Sequence, residues 1–248
     1  KDDGSLITWG PGDSVNNYGA YSSSVASELS SGVSSIFSTK YAYAALKDDG
    51  SVITWGADET TSFYNSGGNS SSVDLSSGIS SIVTTGYAFA ALKADGSVVT
   101  WGHPSYLTGS SSTDLTGVSS IVGNDYAFAA IKTDGSVVTW GDAGSGGDSS
   151  SVASNLTNVS SIISNGSAFA AVKTNGSVVT WGDPDGGGDS SSVENDLLGG
   201  NSTHTYTIEN NDSNASIVTD TSGDDFVTGT AYADTISAGI GRDVVDAL

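Results

Sequence analysis

The block Leu92-Lys93-Ala94-Asp95-Gly96-Ser97-Val98-Val99-Thr100-Trp101-Gly102 has four near-copies in this chain, at Lys1 to Gly10, Leu46 to Gly56, Ile131 to Gly141 and Val172 to Gly182. The five tryptophans, Trp9, Trp55, Trp101, Trp140 and Trp181, are therefore one residue repeated, at spacings of 46, 46, 39 and 41 residues. A period in this range predicts stacked supersecondary units, as in a solenoid, a propeller or an array, because one such unit cannot bury its apolar face alone.

Each unit reads as strands. Asp-Gly or Asn-Gly stands between two apolar runs at Asp3-Gly4, Asp49-Gly50, Asp95-Gly96, Asp134-Gly135 and Asn175-Gly176. That dipeptide predicts a hairpin, read here as type I′, in which both central residues take positive φ. In Tyr87 to Lys93 neither alternating face is polar, so both are expected to be buried between stacked sheets. Its alanines point to a crowded position, read as an inner strand near a propeller axis. Ile79 to Thr84 and its counterparts at Val33, Val118 and Val159 supply a third strand, and Ser72 to Leu75 a weaker outer strand or a turn. No stretch has a helical period, so the chain is expected to be all-β.

The pattern Ala-Leu-Lys-x-Asp-Gly-Ser-Val-x-Thr-Trp-Gly resembles the repeats of the RCC1 family (regulator of chromosome condensation type), over about residues 1–200. The resemblance implies four-stranded blades and an RCC1-like β-propeller. Two features depart from that family: the Gly-Gln-Leu-Gly after Trp-Gly is absent, and the surface is strongly acidic. Fold is therefore expected to carry over and the founding members' activities are not. Four units run complete from Trp to Trp, and about five blades are expected. The half-unit at Lys1 and the incomplete one after Val193 lack the same inner half. His204 to Glu209 or Ala215 to Thr219 could supply it; otherwise an adjoining domain or another subunit does, by strand complementation. An open stack is the competing architecture, at the cost of exposed sheet edges. Lys1 falls inside a unit, so the sequence is expected to be part of a longer chain.

From Gly199 the character changes. Residues 199–219 read as a linker or blade-closing strand, and residues 220–248 carry a nine-residue period. Asp225, Asp234 and Asp243 share one phase, and Val227, Ile236 and Val245 another. Ala238 to Asp246 is one mismatch from the nonapeptide G-G-x-G-x-D-x-U-x, so the tail resembles the RTX, or haemolysin-type, calcium-binding repeats. The resemblance implies a short β-roll-like or extended tail in which Asp225, Asp234, Gly239, Gly241 and Asp243 hold Ca2+, an ion that favours hard oxygen ligands. The propeller repeats then occupy 1–198.

Charge and composition narrow the function classes. With 28 Asp and Glu against 7 Lys and Arg, the formal net charge is −21. Phosphate backbones are repelled, which excludes nucleic acid as a partner, and no apolar run reaches the roughly 20 residues of a membrane span. Cysteine and methionine are absent. No nucleophile elbow or phosphate cradle is present, and the two histidines, His103 and His204, stand apart, with His103 in the loop after Trp101 read as an ordinary surface residue. The expectation is a non-enzymatic structural or adhesive module of a large secreted or cell-surface protein, self-assembling into a layer or filament, with calcium ordering its end. The alternative is a recognition propeller that binds a glycan or protein through its variable post-Trp loops.

Overall fold

The computed structural model describes residues 4–8, 22–57, 67–109 and 115–191, together with five strand backbones beyond residue 200. The chain divides into two compact units, Lys1–Ala171 with Thr180–Asp189, and Val172–Val179 with Ser190–Leu248.

Four three-stranded antiparallel sheets follow one another: β1 (Val33–Ser38), β2 (Ala42–Lys47) and β3 (Val52–Gly56); β4 (Ile79–Thr84), β5 (Ala88–Lys93) and β6 (Val98–Gly102); β7 (Val118–Gly123), β8 (Ala127–Lys132) and β9 (Val137–Gly141); β10 (Val159–Ser164), β11 (Ala168–Lys173) and β12 (Val178–Gly182). The first strands of successive sheets are neighbours, β1 with β4, β4 with β7 and β7 with β10. This is the arrangement of propeller blades, and the fold is an all-β propeller type. The only other elements among the described residues before Asp189 are short 3₁₀ turns.

Three expectations change. Among the described residues the blades have three strands rather than the four implied by the family resemblance; the segment around Leu75 forms turns and lends a carbonyl to the Val52 N–H, at 2.9 Å. The hairpins are not type I′. Lys47 O accepts from the Gly50 N–H at 3.0 Å while the Lys47 N–H donates to Ser51 O at 2.9 Å, which makes a three-residue loop ending in a positive-φ glycine (Gly50, +77°). Asp49 itself keeps negative φ and serves differently: its Oδ1 accepts from the Ser51 N–H at 3.0 Å and from Ser51 Oγ at 2.6 Å. Asp95–Ser97, Asp134–Ser136 and Asn175–Ser177 repeat that pairing, which explains why only Asp or Asn precedes the glycine and Ser follows it.

The third change concerns the alanine-rich strand, which is the middle strand of each sheet rather than the inner one. Some of its alanines face the next blade, while Ala45 packs on the other face with Leu29 and Trp55. Ala42 and Ala44 pack with Phe89 and Trp101, and Ala88 and Ala90 with Phe128 and Trp140. Phe89 and Trp101 stack at 4.9 Å between centroids and Phe128 and Trp140 at 5.1 Å. Each blade thus presents a small-residue face to its neighbour's aromatic pair, and larger side chains there would hold the sheets apart. In the first strands, Ser34, Ser80 and Ser119 sit at a register shift and donate to the carbonyls of Leu46, Leu92 and Ile131, which accounts for the repeated Ser-Ser.

In the second unit the strands β13 (His204–Thr207), β14 (Ile217–Thr219), β15 (Asp225–Thr228), β16 (Thr235–Ser237) and β17 (Val244–Asp246) form two parallel sheets, β13-β15-β17 and β14-β16. Successive strands therefore alternate between sheets. Phe226 pairs with Val244 and Ile217 with Thr235, each 18 residues on, which is two nine-residue periods. The segments considered above as blade-closing strands contain β13 and β14, which are hydrogen-bonded to β15 and β16.

Candidate recognition site

Between the first and second strand of each blade lies a tight turn. Its first residue is Thr39, Thr85, Asn124 or Asn165, and the side-chain oxygen accepts N–H groups two and three residues on. Thr85 Oγ1 takes Tyr87 N–H (3.2 Å) and Ala88 N–H (2.9 Å), and Asn124 Oδ1 takes Tyr126 N–H (2.8 Å) and Ala127 N–H (2.7 Å). Main-chain bonds then tie the four turns in a row: Lys40 N–H to Gly86 O (2.9 Å), Gly86 N–H to Asp125 O (2.8 Å) and Asp125 N–H to Gly166 O (3.3 Å). The residues that follow, Tyr41, Tyr87 and Tyr126, are consequently set side by side, with centroids 6.2 and 6.4 Å apart. Ser167 ends the row and donates to Asp183 Oδ2.

The second position of the turn does not follow the repeat. It is Lys40, Gly86, Asp125 and Gly166 in turn. Lys40 uses the space that Gly86 leaves: a Cβ on Gly86 would stand 3.3 Å from Lys40 Cε. The ammonium lies 4.7 Å from the Tyr87 ring centroid and 5.9 Å from that of Tyr126, and donates to Tyr87 Oη at 3.2 Å. That hydrogen bond raises the Lys40 pKa above the usual lysine value, against the smaller opposing effect of burial.

The loop after Trp101 completes the cluster. Tyr106 stacks on Tyr87 at 5.0 Å and approaches Tyr126 at 5.9 Å; His103 stands 5.1 Å from Tyr106, with its Nδ1 accepting the Ser105 N–H. Burial is the main cause that raises the Tyr106 phenol pKa. The turns also border an open groove of about 400 Å³, lined by Lys40, Thr84, Thr85, Asn124, Asp125, Asn165 and neighbouring residues.

This loop is also where the repeat breaks. Trp101 Nε1–H donates to Gly67 O (3.1 Å) and Trp181 Nε1–H to Gly146 O (3.0 Å), each acceptor a positive-φ glycine in the preceding blade's post-Trp loop. The residue in the phase of Gly146 after Trp101 is Leu107, with φ −120°. A leucine forced into the left-handed region would cost roughly 1–2 kcal/mol. The loop instead anchors through Thr108, whose O accepts the Gly141 N–H at 2.8 Å, and the fully buried Trp140 Nε1–H is left with no acceptor. An orphaned buried donor costs about 1–3 kcal/mol. The chain thus gives up a regular interaction in the same loop that carries His103 and Tyr106.

Sequence reasoning placed variable function in the post-Trp loops and included this one, but it read His103 as ordinary and did not pick out Lys40, Tyr41, Tyr87, Tyr106 or Tyr126. The available signal was Lys40 and Asp125 in a phase otherwise held by glycine. Of the residues expected to hold calcium, Asp225 opens β15, while Asp234, Gly239, Gly241 and Asp243 lie outside the described residues. Among the described residues no group of three or more His, Asp or Glu comes together as a metal site.

No family model matches this chain, and no curated protein matches it. Solved structures do. The chain is similar to the CRINKLY WD40 ectodomain of the Arabidopsis thaliana receptor kinase ACR4 (22% identity, TM-score 0.41, 60% of this chain and 49% of that one), to human WBSCR16 (22%, 0.41, 60% and 47%) and to yeast RCC1 (Prp20), solved bound to Kap60 (15%, 0.43, 60% and 43%). It spans about half or less of the length of each.

Proposed function

We propose that this protein is a non-catalytic recognition module, part of a larger secreted or cell-surface protein, that binds a partner through the face bearing Lys40, Tyr41, Tyr87, Tyr126 and the His103–Tyr106 loop. The observation that carries this reading is the coincidence of two departures from the repeat on one face: the Lys40–tyrosine cluster and the loop that leaves Trp140 without its acceptor. Residues that break a local rule at a stability cost tend to serve function. The aromatic rings are half-buried, and the turns that carry Tyr41, Tyr87 and Tyr126 are tied by side-chain and cross-blade hydrogen bonds, so little ordering is needed on binding. Similarity to a yeast protein solved in complex with a protein partner fits a binding role without specifying the partner. The test is to probe glycan and protein arrays with the labelled chain and with Tyr87→Ala and Lys40→Ala variants. Array signals lost in both variants support the reading; signals unchanged in both refute it.

A second reading concerns the tail alone. The parallel pairing at an offset of two nonapeptides is what a calcium-binding roll needs, since neighbouring turns then share ions through their Asp and backbone oxygens. Millimolar calcium should raise the tail's protection from amide exchange, and no calorimetric binding at that concentration removes the reading.

A further inference from the structure

We infer that the first unit takes up a two-stranded β-hairpin of this repeat from another chain, laid against residues 6–8 and the face of the first blade that carries Ile36 and Tyr43. The sequence holds five copies of the outer strand that ends in Trp-Gly but four of the alanine-rich middle strand, at residues 41–45, 87–91, 126–130 and 167–171. The extra outer strand is docked on the first blade as its counterparts are docked on theirs. Gly4 O accepts from the Val33 N–H at 2.9 Å, as Gly50 O does from the Ile79 N–H at 3.0 Å. The Leu6 N–H donates to Leu29 O as that of Val52 does to Leu75 O, and Thr8 Oγ1 meets Ser22 Oγ as Thr54 Oγ1 meets Ser70 Oγ. Val52, Ile53 and Thr54 also pair with Leu46, Ala45 and Ala44, whereas residues 6–8 belong to no sheet. With the Leu6 N–H turned to Leu29, and N–H groups alternating along a strand, the Ile7 N–H lies on the edge where Ile53 meets Ala45. An edge fixed in this way is a template for an added strand.

The side chains specify what is added. Ile7 is 59% exposed and Ile36 45%, whereas Ile82 and Ile162, counterparts of Ile36 in later blades, are 4% and 6% exposed. Ile82 is buried in a cluster with Ala42 and Ala44, from the middle strand of the preceding blade. Tyr43 is half-buried where Phe89, Phe128 and Phe169 are fully buried, and it stacks on Trp55 at 5.4 Å as Phe89 does on Trp101. The first blade thus presents the aromatic face that elsewhere receives a neighbour's alanines, and leaves Ile36 in water. The occupant that continues the established interfaces is a middle strand with alanines at alternate positions facing Tyr43 and Ile36, joined to an apolar first strand. Among the described residues no segment is free to supply it. The four inner hairpins are each paired in their own sheets, and β13 and β14 are bonded to β15 and β16. The donor is therefore a different chain, and its site is separate from the recognition face around Lys40.

The probe is a synthetic peptide with the sequence of residues 79–93, which contains β4 and β5, titrated calorimetrically into the whole chain. One peptide should bind per chain, and amide exchange should slow at Ile7 while staying unchanged at Ile53. Ile7→Pro removes the N–H on the pairing edge from a segment outside any sheet. It should leave the Tm of the chain unchanged and weaken peptide binding by about tenfold, the loss of one hydrogen bond. Ile7→Val should bind as the parent does. A peptide carrying Ala88→Leu and Ala90→Leu, too large to sit on Tyr43 and Trp55, should not bind. The inference is overturned if the peptide does not bind, if Ile7→Pro binds it as the parent does, or if the leucine peptide binds equally well. It is also overturned if the chain alone forms oligomers that Ile7→Pro dissociates, which would make the occupant a second copy. None of these outcomes bears on the array test of the Lys40 face.

Discussion

Replacing an indole by a phenyl ring at two equivalent positions should give opposite results at the nitrogen. Trp101 and Trp140 are both buried, both stacked on a phenylalanine of the neighbouring strand, and both central to a blade interface. Trp101→Phe removes the 3.1 Å bond to Gly67 O and leaves that buried carbonyl unpaired, at about 1–3 kcal/mol. Trp140→Phe removes a donor that has no acceptor, which relieves a cost of similar size. The smaller ring leaves a similar void in both cases, so that part cancels in the comparison. The expected difference is about 3 kcal/mol in favour of Trp140→Phe. For a domain of this size that is roughly 6–12 °C in Tm. Scanning calorimetry or far-UV circular dichroism is the suitable assay, since fluorescence would lose one of its own reporters. Trp181→Phe should follow Trp101→Phe, because its indole bonds to Gly146 O. Equal destabilisation of all three variants would show that Trp140 has an acceptor.

Two further outcomes follow from the turns. Hydrogen bonds from Ser51, Ser97 and Ser136 hold the Asp49, Asp95 and Asp134 carboxyls below the usual carboxylate pKa. A depressed folded-state pKa stabilises above the unfolded value and is lost as pH falls through the folded one, so stability should decline below about pH 4. The triple variant Asp49→Asn, Asp95→Asn and Asp134→Asn, which copies the Asn175 turn, should flatten that decline in urea titrations between about pH 3 and pH 6; an unchanged slope contradicts the assignment. Gly146→Ala sets a Cβ 2.7 Å from Phe169 at φ +92° and should cost about 2–4 kcal/mol, whereas Gly187→Ala, at φ +91° with open space around it, should cost only the backbone part, about 1–2 kcal/mol, both read as shifts in the urea midpoint.

The repeat made the hairpins, the buried tryptophans and the two-faced burial of Ala88–Lys93 readable in the sequence, because period and dipeptide identity act locally. What it could not separate were alternatives that share the same residues. Asp-Gly serves both the type I′ loop and the three-residue loop found here, and the choice rests on the serine that follows. Small residues signal crowding but not its source, which is the next blade's Phe–Trp pair. The site was less legible. Tyr41, Tyr87 and Tyr126 looked structural because they repeat, and their joint face exists only once the cross-blade ladder sets the turns in line. The absence of a left-handed glycine at Leu107 is visible in the sequence, yet its consequence for Trp140, 33 residues on, needs the packing. In the tail, the pairings of Ile217 with Thr235 and of Phe226 with Val244 fall two nine-residue periods apart.

The central claim is that function resides where this repeat is not repeated. Its most direct test exchanges residues 103–108 for the six-residue sequence of 142–147 and measures binding of the exchanged and parent chains on the same arrays. The account predicts lost binding together with a higher Tm, as Trp140 regains a glycine carbonyl and the Tyr106 and His103 rings leave the face. Retained binding at a lowered Tm would contradict it.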